Sequence, residues 1–156
     1  FQVAYFETLI PVWLIGFVRG LKQLGGFFGA WFAGKFIDKF SHYKVITIGT
    51  IANSLIKISA LAINSVITPF IFSTLNFLYS PVNIAVSHLM QNEFSDKQRA
   101  TMGSIVSVFG SILYGVISIA VGYVADITSP LIALWCLLLP EFAVFAIYYK
   151  TLKKNN

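Results

Sequence analysis

GKFIDKFSHYK, residues 34–44, is the stretch that decides the fold, because it gathers five ionisable side chains between two long apolar runs. The chain as a whole is 57% hydrophobic and only 11% charged, whereas a water-soluble domain carries about a quarter charged residues. Charge is therefore concentrated in short connections, and the apolar runs between them are the structural units. Backbone groups in lipid must be hydrogen-bonded within their own segment. We predict an all-helical integral membrane protein, a bundle of transmembrane helices.

Five apolar stretches are long enough to cross a bilayer as helices, which takes about 20 residues. They are approximately residues 11–33, 45–63, 69–90, 102–124 and 131–149, followed by a polar tail over residues 150–156. The chain opens on apolar residues without a Met, so we expect residues 1–8 to end an earlier span and the chain to be a fragment. The single cysteine, Cys136, excludes an internal disulfide and a multi-cysteine metal site.

The cations outside the apolar runs all fall on one side of the membrane once the spans alternate. They are Lys35, Lys39, Lys44, Lys97, Arg99, Lys150, Lys153 and Lys154, and the opposite connections contain no Lys or Arg. Cytoplasmic loops of membrane proteins carry such an excess of cations. We therefore predict that this side and the C-terminus are cytoplasmic, at the plasma membrane. The same placement accounts for the net charge of +5 without a nucleic-acid partner.

Four charged side chains lie inside the predicted spans, namely Arg19, Lys22, Lys57 and Glu141. A lipid-facing Arg or Lys at the centre of a span costs about 2.5–3.5 kcal/mol, so these groups are expected to face water, a partner or the bundle interior. Arg19, Lys22 and Gln23 are spaced to share one helix face. For Lys57 and Glu141 two interpretations stay open, an interhelical ion pair and a proton relay through Glu141.

Two other spans each carry a polar stripe at helical spacing on an otherwise apolar helix. The first stripe contains Asn76, Ser80 and Asn83, and the second contains Ser107 and Ser111. Our hypothesis is that these stripes and the cations of the first span line a hydrated cavity for an anionic or strongly polar solute. The alternative is that each serine bonds its own backbone or packs between helices.

Three short motifs carry a family resemblance. They are GKFIDK at residues 34–39, RATMGS at residues 99–104, and GYVAD at residues 122–126, which repeats the Gly-x-x-x-Asp shape on the opposite side. With the number and sidedness of the spans, these motifs resemble the major facilitator superfamily of secondary transporters, whose cytoplasmic motif reads Gly-x-x-x-Asp-Arg-x-Gly-Arg-Arg. Ser41 and His42 stand where that pattern has Gly and Arg. Inverted-topology repeats produce motif copies on opposite sides.

The resemblance implies a C-terminal half-transporter, from the end of helix seven to helix twelve. The solute site would lie between this half and a missing amino-terminal half, and transport would proceed by alternating access with proton or sodium coupling. The family's eighth, tenth and eleventh helices line its cavity, and these correspond to residues 11–33, 69–90 and 102–124. Contacts made in one access state and broken in the other are implied for Gly34, Asp38, Lys39, Lys44 and Arg99.

Two alternatives to this interpretation stay open. In the first, the loop charges anchor the helix ends and have no gating role. In the second, the protein is a non-transporting membrane scaffold or assembly subunit that keeps the fold, and the departures from the motif at Ser41 and His42 favour this alternative. No catalytic set of Ser, His and Asp, no paired carboxylates and no metal-ligand spacing occurs in the sequence. We therefore predict no enzymatic activity, no cofactor and no metal.

Overall fold

The fold is given by a computed structural model that describes residues 1–142, except for the side chains of Glu93, Asp96 and Lys97. Part of the fifth predicted span, residues 143–149, and the predicted tail, residues 150–156, lie outside the described residues. The described part of the chain is all-helical with short connections and contains no strand, which confirms the predicted helical class. Its helices are α1 (Gln2–Glu7), α2 (Val12–Ile63), α3 (Thr68–Glu93), α4 (Asp96–Ile127) and α5 (Pro130–Cys136).

Three of these helices are long and apolar enough to cross a membrane. The qualifying segments are Val12–Ile63, Thr68–Asn92 and Gln98–Ile127. They contain the first four predicted spans, because α2 holds both the first and the second. The fifth predicted span begins with α5, and the apolar helical stretch that contains α5 extends over Pro130–Phe142.

α2 consists of two antiparallel arms, residues 12–40 and residues 42–63, because its backbone leaves the helical conformation at Ser41 (φ 65°, ψ 156°). Contacts with α3 show the reversal. Gly29 of the first arm packs against Phe77, and Gly49 of the second arm packs against Val82. In a continuous helix these glycines would be about 30 Å apart, whereas Phe77 and Val82 are separated by about 8 Å along α3. The chain must therefore fold back at Ser41.

The connection predicted over residues 34–44 is much shorter in the structure, where only Ser41 departs from helical geometry. Lys35, Asp38 and Lys39 lie on the last turns of the first arm, and all three are exposed. Charged residues end an apolar run without ending a helix, because Lys is a good helix former and an exposed helix end can continue into water. The predicted connection contains the point at which the chain reverses, but most of its residues are helical in the structure.

The turn between the second arm and α3 is closed by Thr68, which is fully buried. Its hydroxyl accepts a hydrogen bond from the Ser65 amide at 3.0 Å and donates one to the Ala60 carbonyl at 3.0 Å. Asn64 ends α2 in the left-handed conformation, and its side-chain oxygen accepts a hydrogen bond from the Tyr5 hydroxyl at 2.8 Å. These bonds tie α1 to the turn at this end of the bundle.

The first arm of α2 comes closest to α3 at Gly29, where a side-chain methyl would overlap the Phe77 carbonyl. Pro81 lies inside α3, four residues after Phe77, and it has no N–H to donate to that carbonyl. The backbone of Gly29 therefore faces a carbonyl oxygen that lacks its usual helical donor. Weak Cα–H···O contacts of this kind recur where helices approach closely, and the absence of a side chain allows the approach.

Apart from hydrogen bonds between its first turn and the end of α3, α4 packs against the described chain mainly near its last turns. Its last turns contact α5, and a methyl at Gly122 would lie 3.2 Å from the Phe1 ring. Farther from that end, apolar side chains such as Phe109 and Ile112 are more than half exposed. α4 therefore presents a long apolar surface to its surroundings.

Candidate functional site

The basic connections meet at one end of the bundle. The His42 ring stacks on the His88 ring with centroids 4.3 Å apart and an interplanar angle of 18°, so residues 34–44 adjoin the last turns of α3. The opposite end, where Tyr5 bonds Asn64, has no Lys or Arg in its connections. The predicted asymmetry of charge is therefore present in the three-dimensional structure. Which end faces the cytoplasm stays a prediction.

Arg99 closes the turn between α3 and α4. Its Nε donates to the Gln91 carbonyl at 2.8 Å and to the Phe94 carbonyl at 3.1 Å. Ser95 and Gln98 form a capping box at the start of α4. Arg99 thus bonds backbone carbonyls at the end of α3, which gives it a structural role in addition to the gating role implied by the resemblance.

The other gating candidates are exposed near the Ser41 break. Gly34, Asp38 and Lys39 precede it on the first arm, and Lys44 follows it. Asp38 has no cation within ion-pair distance among the described residues, and the Lys39 ammonium lies 5.3 Å from the centroid of the Phe40 ring. The structure groups these residues without joining Asp38 to a cation, so a gating contact there stays a prediction.

A pocket of about 150 Å³ lies between α1, the first arm of α2 and α3. Arg19 and Lys22 supply its cationic wall, and Gln2 of α1 adds an amide. Ser73 of α3 also lines the pocket, but its hydroxyl already donates to the Phe70 carbonyl at 2.6 Å. The groups left to donate into the pocket are therefore the guanidinium, the ammonium and the amide.

The ion pair considered for Lys57 and Glu141 is confirmed. Lys57 Nζ contacts Glu141 Oε1, and the two side chains are 28% and 32% exposed. The Ser54 hydroxyl lies 3.5 Å from Glu141 Oε2, at the limit of a hydrogen bond. The pair joins the second arm of α2 to the helical segment that follows α5, so the charge of Lys57 is compensated by a partner within the bundle.

The predicted polar stripes come together only in part. A methyl at Gly26 would lie 3.6 Å from both Asn76 Nδ2 and Ser80 Oγ, so the stripe of α3 borders the first arm of α2 in what we call the polar seam (Gly26, Asn76 and Ser80). Gln23 and Asn83 are exposed.

The serines of the second stripe do not join the polar seam. Ser107 and Ser111 are exposed on α4, between the turn bonded by Arg99 and the end near Gly122. Spacing along a helix shows which residues share a face, but it does not show which neighbour covers that face.

The sequence pattern did not single out three polar residues with notable surroundings. Asn53 is 8% exposed, and its side-chain oxygen has no hydrogen-bond partner among the described residues. Its position inside an apolar span was the available signal. Gln2 and Ser73 line the pocket, but nothing in their spacing predicts this, because the pocket exists only once α1 has folded against α2 and α3.

Comparison of the chain with protein-family models, with curated proteins and with solved structures gives no match. The function is therefore argued from the arrangement of this chain's own residues.

Proposed function

We propose that this chain forms the C-terminal half of a secondary transporter of the major facilitator type, which moves a small anionic or polar solute across the plasma membrane by alternating access. The observation that carries the proposal is the placement of Arg19 and Lys22. They line a pocket within helices long enough to span a membrane, and neither has a carboxylate partner among the described residues. Ionisable groups at such depth are costly and mark solute or ion pathways.

The Ser41 break supports the family resemblance independently. The motif of that family places a glycine where this chain has Ser41, and Ser41 adopts a positive φ of 65°, which glycine adopts without a steric penalty. The backbone geometry thus fits the motif although the side chain departs from it. The two Gly-x-x-x-Asp copies also lie at opposite ends of the bundle, one beside Ser41 and one beside Phe1.

The exposed length of α4 fits a bundle that works with a second one. Ser107 and Ser111 form a polar stripe on that helix, which contacts little else in the described chain. In the proposed transporter this stripe faces the amino-terminal half across the solute path, and rocking of one half against the other exposes the path to alternate sides. The polar seam lies on the same path.

The Lys57–Glu141 pair favours a structural role over a proton relay. Glu141 is engaged by a cation and borders a hydroxyl, so it already has partners within the bundle. Coupling to a proton or a sodium ion remains part of the proposal, but we assign no residue to the binding of that ion. The test is whether Glu141→Gln abolishes uptake driven by a proton gradient, and we expect that it does not.

The proposal is tested by solute flux through the full-length protein in liposomes. We expect gradient-driven uptake of an anionic or polar solute from a panel of labelled anionic, neutral and cationic metabolites. Arg19→Gln should lower that uptake at least ten-fold, equivalent to about 1.4 kcal/mol. Lys35→Gln removes the same charge at the far end of the first arm and should leave uptake unchanged. A folded protein that moves no solute class would instead support the scaffold alternative.

A further inference from the structure

We propose that the pocket between α1, the first arm of α2 and α3 binds a single small oxyanion, a carboxylate or a phosphate. This inference rests on the proposed function, because it names the substrate class that the pocket would select.

The charge balance around the pocket leaves room for one anion. Arg19 and Lys22 both line the pocket, whereas Lys57 is paired with Glu141. Neither Arg19 nor Lys22 has a carboxylate within ion-pair distance among the described residues. Arg19 is exposed and Lys22 is half-buried, and a bound anion would supply the charged partner that both lack.

The chemistry of the donors favours an oxyanion over a spherical ion. The Arg19 guanidinium is planar and presents paired N–H groups whose geometry matches the two oxygens of a carboxylate or phosphate. Lys22 adds a point charge with three donors, and Gln2 adds an amide. No acidic side chain lines the pocket, so a cation would find no charged partner there.

The size and the remaining wall limit the ligand further. A cavity of about 150 Å³ holds a molecule of the size of benzene, about six heavy atoms. Phe6 and Phe72 also line the pocket, and their rings meet edge to face at a centroid distance of 5.7 Å. A three- or four-carbon carboxylate would place its charged group on Arg19 and Lys22 and its short carbon chain against these rings.

The oxyanion could come from a free solute or from an anionic lipid. Arg19 lies about 10 Å along the helix from Val12, within reach of a head group that dips toward the bundle. Both sources present the same oxygen atoms to the same donors, so the experiment must supply each of them separately.

The test is the unfolding midpoint of the full-length protein in a neutral maltoside detergent. Sodium pyruvate and sodium phosphate are titrated separately, and sodium gluconate serves as an oversized anion at matched ionic strength. We expect a saturable rise in the midpoint with pyruvate or phosphate and a smaller, non-saturating rise with gluconate. Equal responses to all three salts, or no response either to the salts or to an anionic lipid, would overturn the proposal.

Variants assign the effect to the pocket. Arg19→Gln and Lys22→Gln should each raise the dissociation constant for the small anion at least ten-fold, whereas Lys35→Gln should leave it unchanged. Arg19→Lys, which keeps the charge, should fall between Arg19→Gln and wild type. If the response persists undiminished in both glutamine variants, the anion binds elsewhere and the proposal fails.

A parallel titration compares phosphatidylglycerol with phosphatidylcholine in the absence of soluble anions. Stabilisation by phosphatidylglycerol alone that disappears in Arg19→Gln would retain the oxyanion site and assign it to a lipid. Binding and flux are measured apart, so the two proposals can fail separately. Anion binding without transport contradicts the proposed function, and transport of a solute without small-anion binding contradicts this inference.

Discussion

At the scale of single residues, Ser41 carries the largest backbone departure in the described chain. Its φ of 65° and ψ of 156° fall in a region that only glycine populates readily, and such strain costs about 1–3 kcal/mol. We predict that Ser41→Gly raises the free energy of unfolding by about 1 kcal/mol.

The control for Ser41 is a serine on the helical part of the same element. Ser59 is exposed on the second arm, where glycine should lower stability by about 0.5–1 kcal/mol. Denaturation in mixed micelles measures both variants. A loss of stability in Ser41→Gly similar to that in Ser59→Gly would show that the break carries no strain.

The Lys57–Glu141 pair also belongs to the residue scale. Removing either partner leaves the other charge unpaired inside the bundle. The losses of unfolding free energy in the two single Gln variants should therefore add up to more than the loss in the double variant. Because both side chains are about one-third exposed, we expect a coupling free energy of about 1–2 kcal/mol, measured by a double-mutant cycle on unfolding.

Asp38 offers a matched control for this cycle. It carries a carboxylate but lies about 20 Å from the level of Lys57 along the second arm. Distant substitutions usually add within about 0.5 kcal/mol, so Lys57→Gln and Asp38→Asn should be additive. If the effects of Lys57→Gln and Glu141→Gln on the free energy of unfolding were also additive, the ion pair would be contradicted.

At the scale of elements, the packing of the first arm of α2 on α3 depends on Gly29. A methyl at this position would overlap backbone atoms of Phe77, which cannot move as a flexible side chain could. We predict that Gly29→Ala lowers the free energy of unfolding by about 1–3 kcal/mol through overpacking.

Gly20 is the matched position on the same arm, because a methyl there meets nothing within 4 Å. Gly20→Ala should therefore be neutral or stabilising by up to about 1 kcal/mol, as expected for alanine in an open helix. Chemical denaturation of the two variants in micelles gives both values. Equal stabilities of Gly29→Ala and Gly20→Ala would contradict the close approach at Gly29.

Elements are also the scale at which the sequence is most informative. The predicted span over residues 69–90 corresponds to α3 within a few residues. A long apolar run in lipid must form a helix, because its backbone groups have to be hydrogen-bonded within the segment. Residues 102–124 likewise lie within α4, which extends further because polar residues continue a helix past the apolar run. The single-residue break at Ser41 could not be predicted, since it depends on both arms of α2 packing on α3.

The candidate site was predictable where electrostatics left few alternatives. An ion pair was one of the two interpretations left open for Lys57 and Glu141, because a charge within a span needs a partner, and the structure contains that pair. The pocket beside Arg19 required the position of α1, which has no periodic signal of its own. Ser107 and Ser111 were expected to line the same cavity as Asn76, but the described helices do not bring the two stripes together.

At the scale of the whole molecule, the charges divide the bundle into two unlike ends. Lys35, Lys39 and Lys44 lie at the Ser41 end, and the end near Asn64 has no Lys or Arg in its connections. Between these ends lie the polar seam and the two cations that line the pocket, the exposed Arg19 and the half-buried Lys22. In the proposed transporter, these polar groups would line the solute path.

The most direct test of transport by this molecule is the accessibility of Ser80 from the two sides of the membrane. Ser80→Cys is introduced into the full-length protein together with Cys136→Ala, and a membrane-impermeant maleimide is applied to right-side-out and inverted vesicles. Ile119→Cys, at an apolar position that is 77% exposed, is the lipid-facing control. We predict that Ser80→Cys is labelled from both sides in separate experiments, that a transported solute shifts labelling toward one side, and that Ile119→Cys stays unlabelled. Labelling of Ser80→Cys from neither side, or labelling indifferent to every solute, would contradict alternating access.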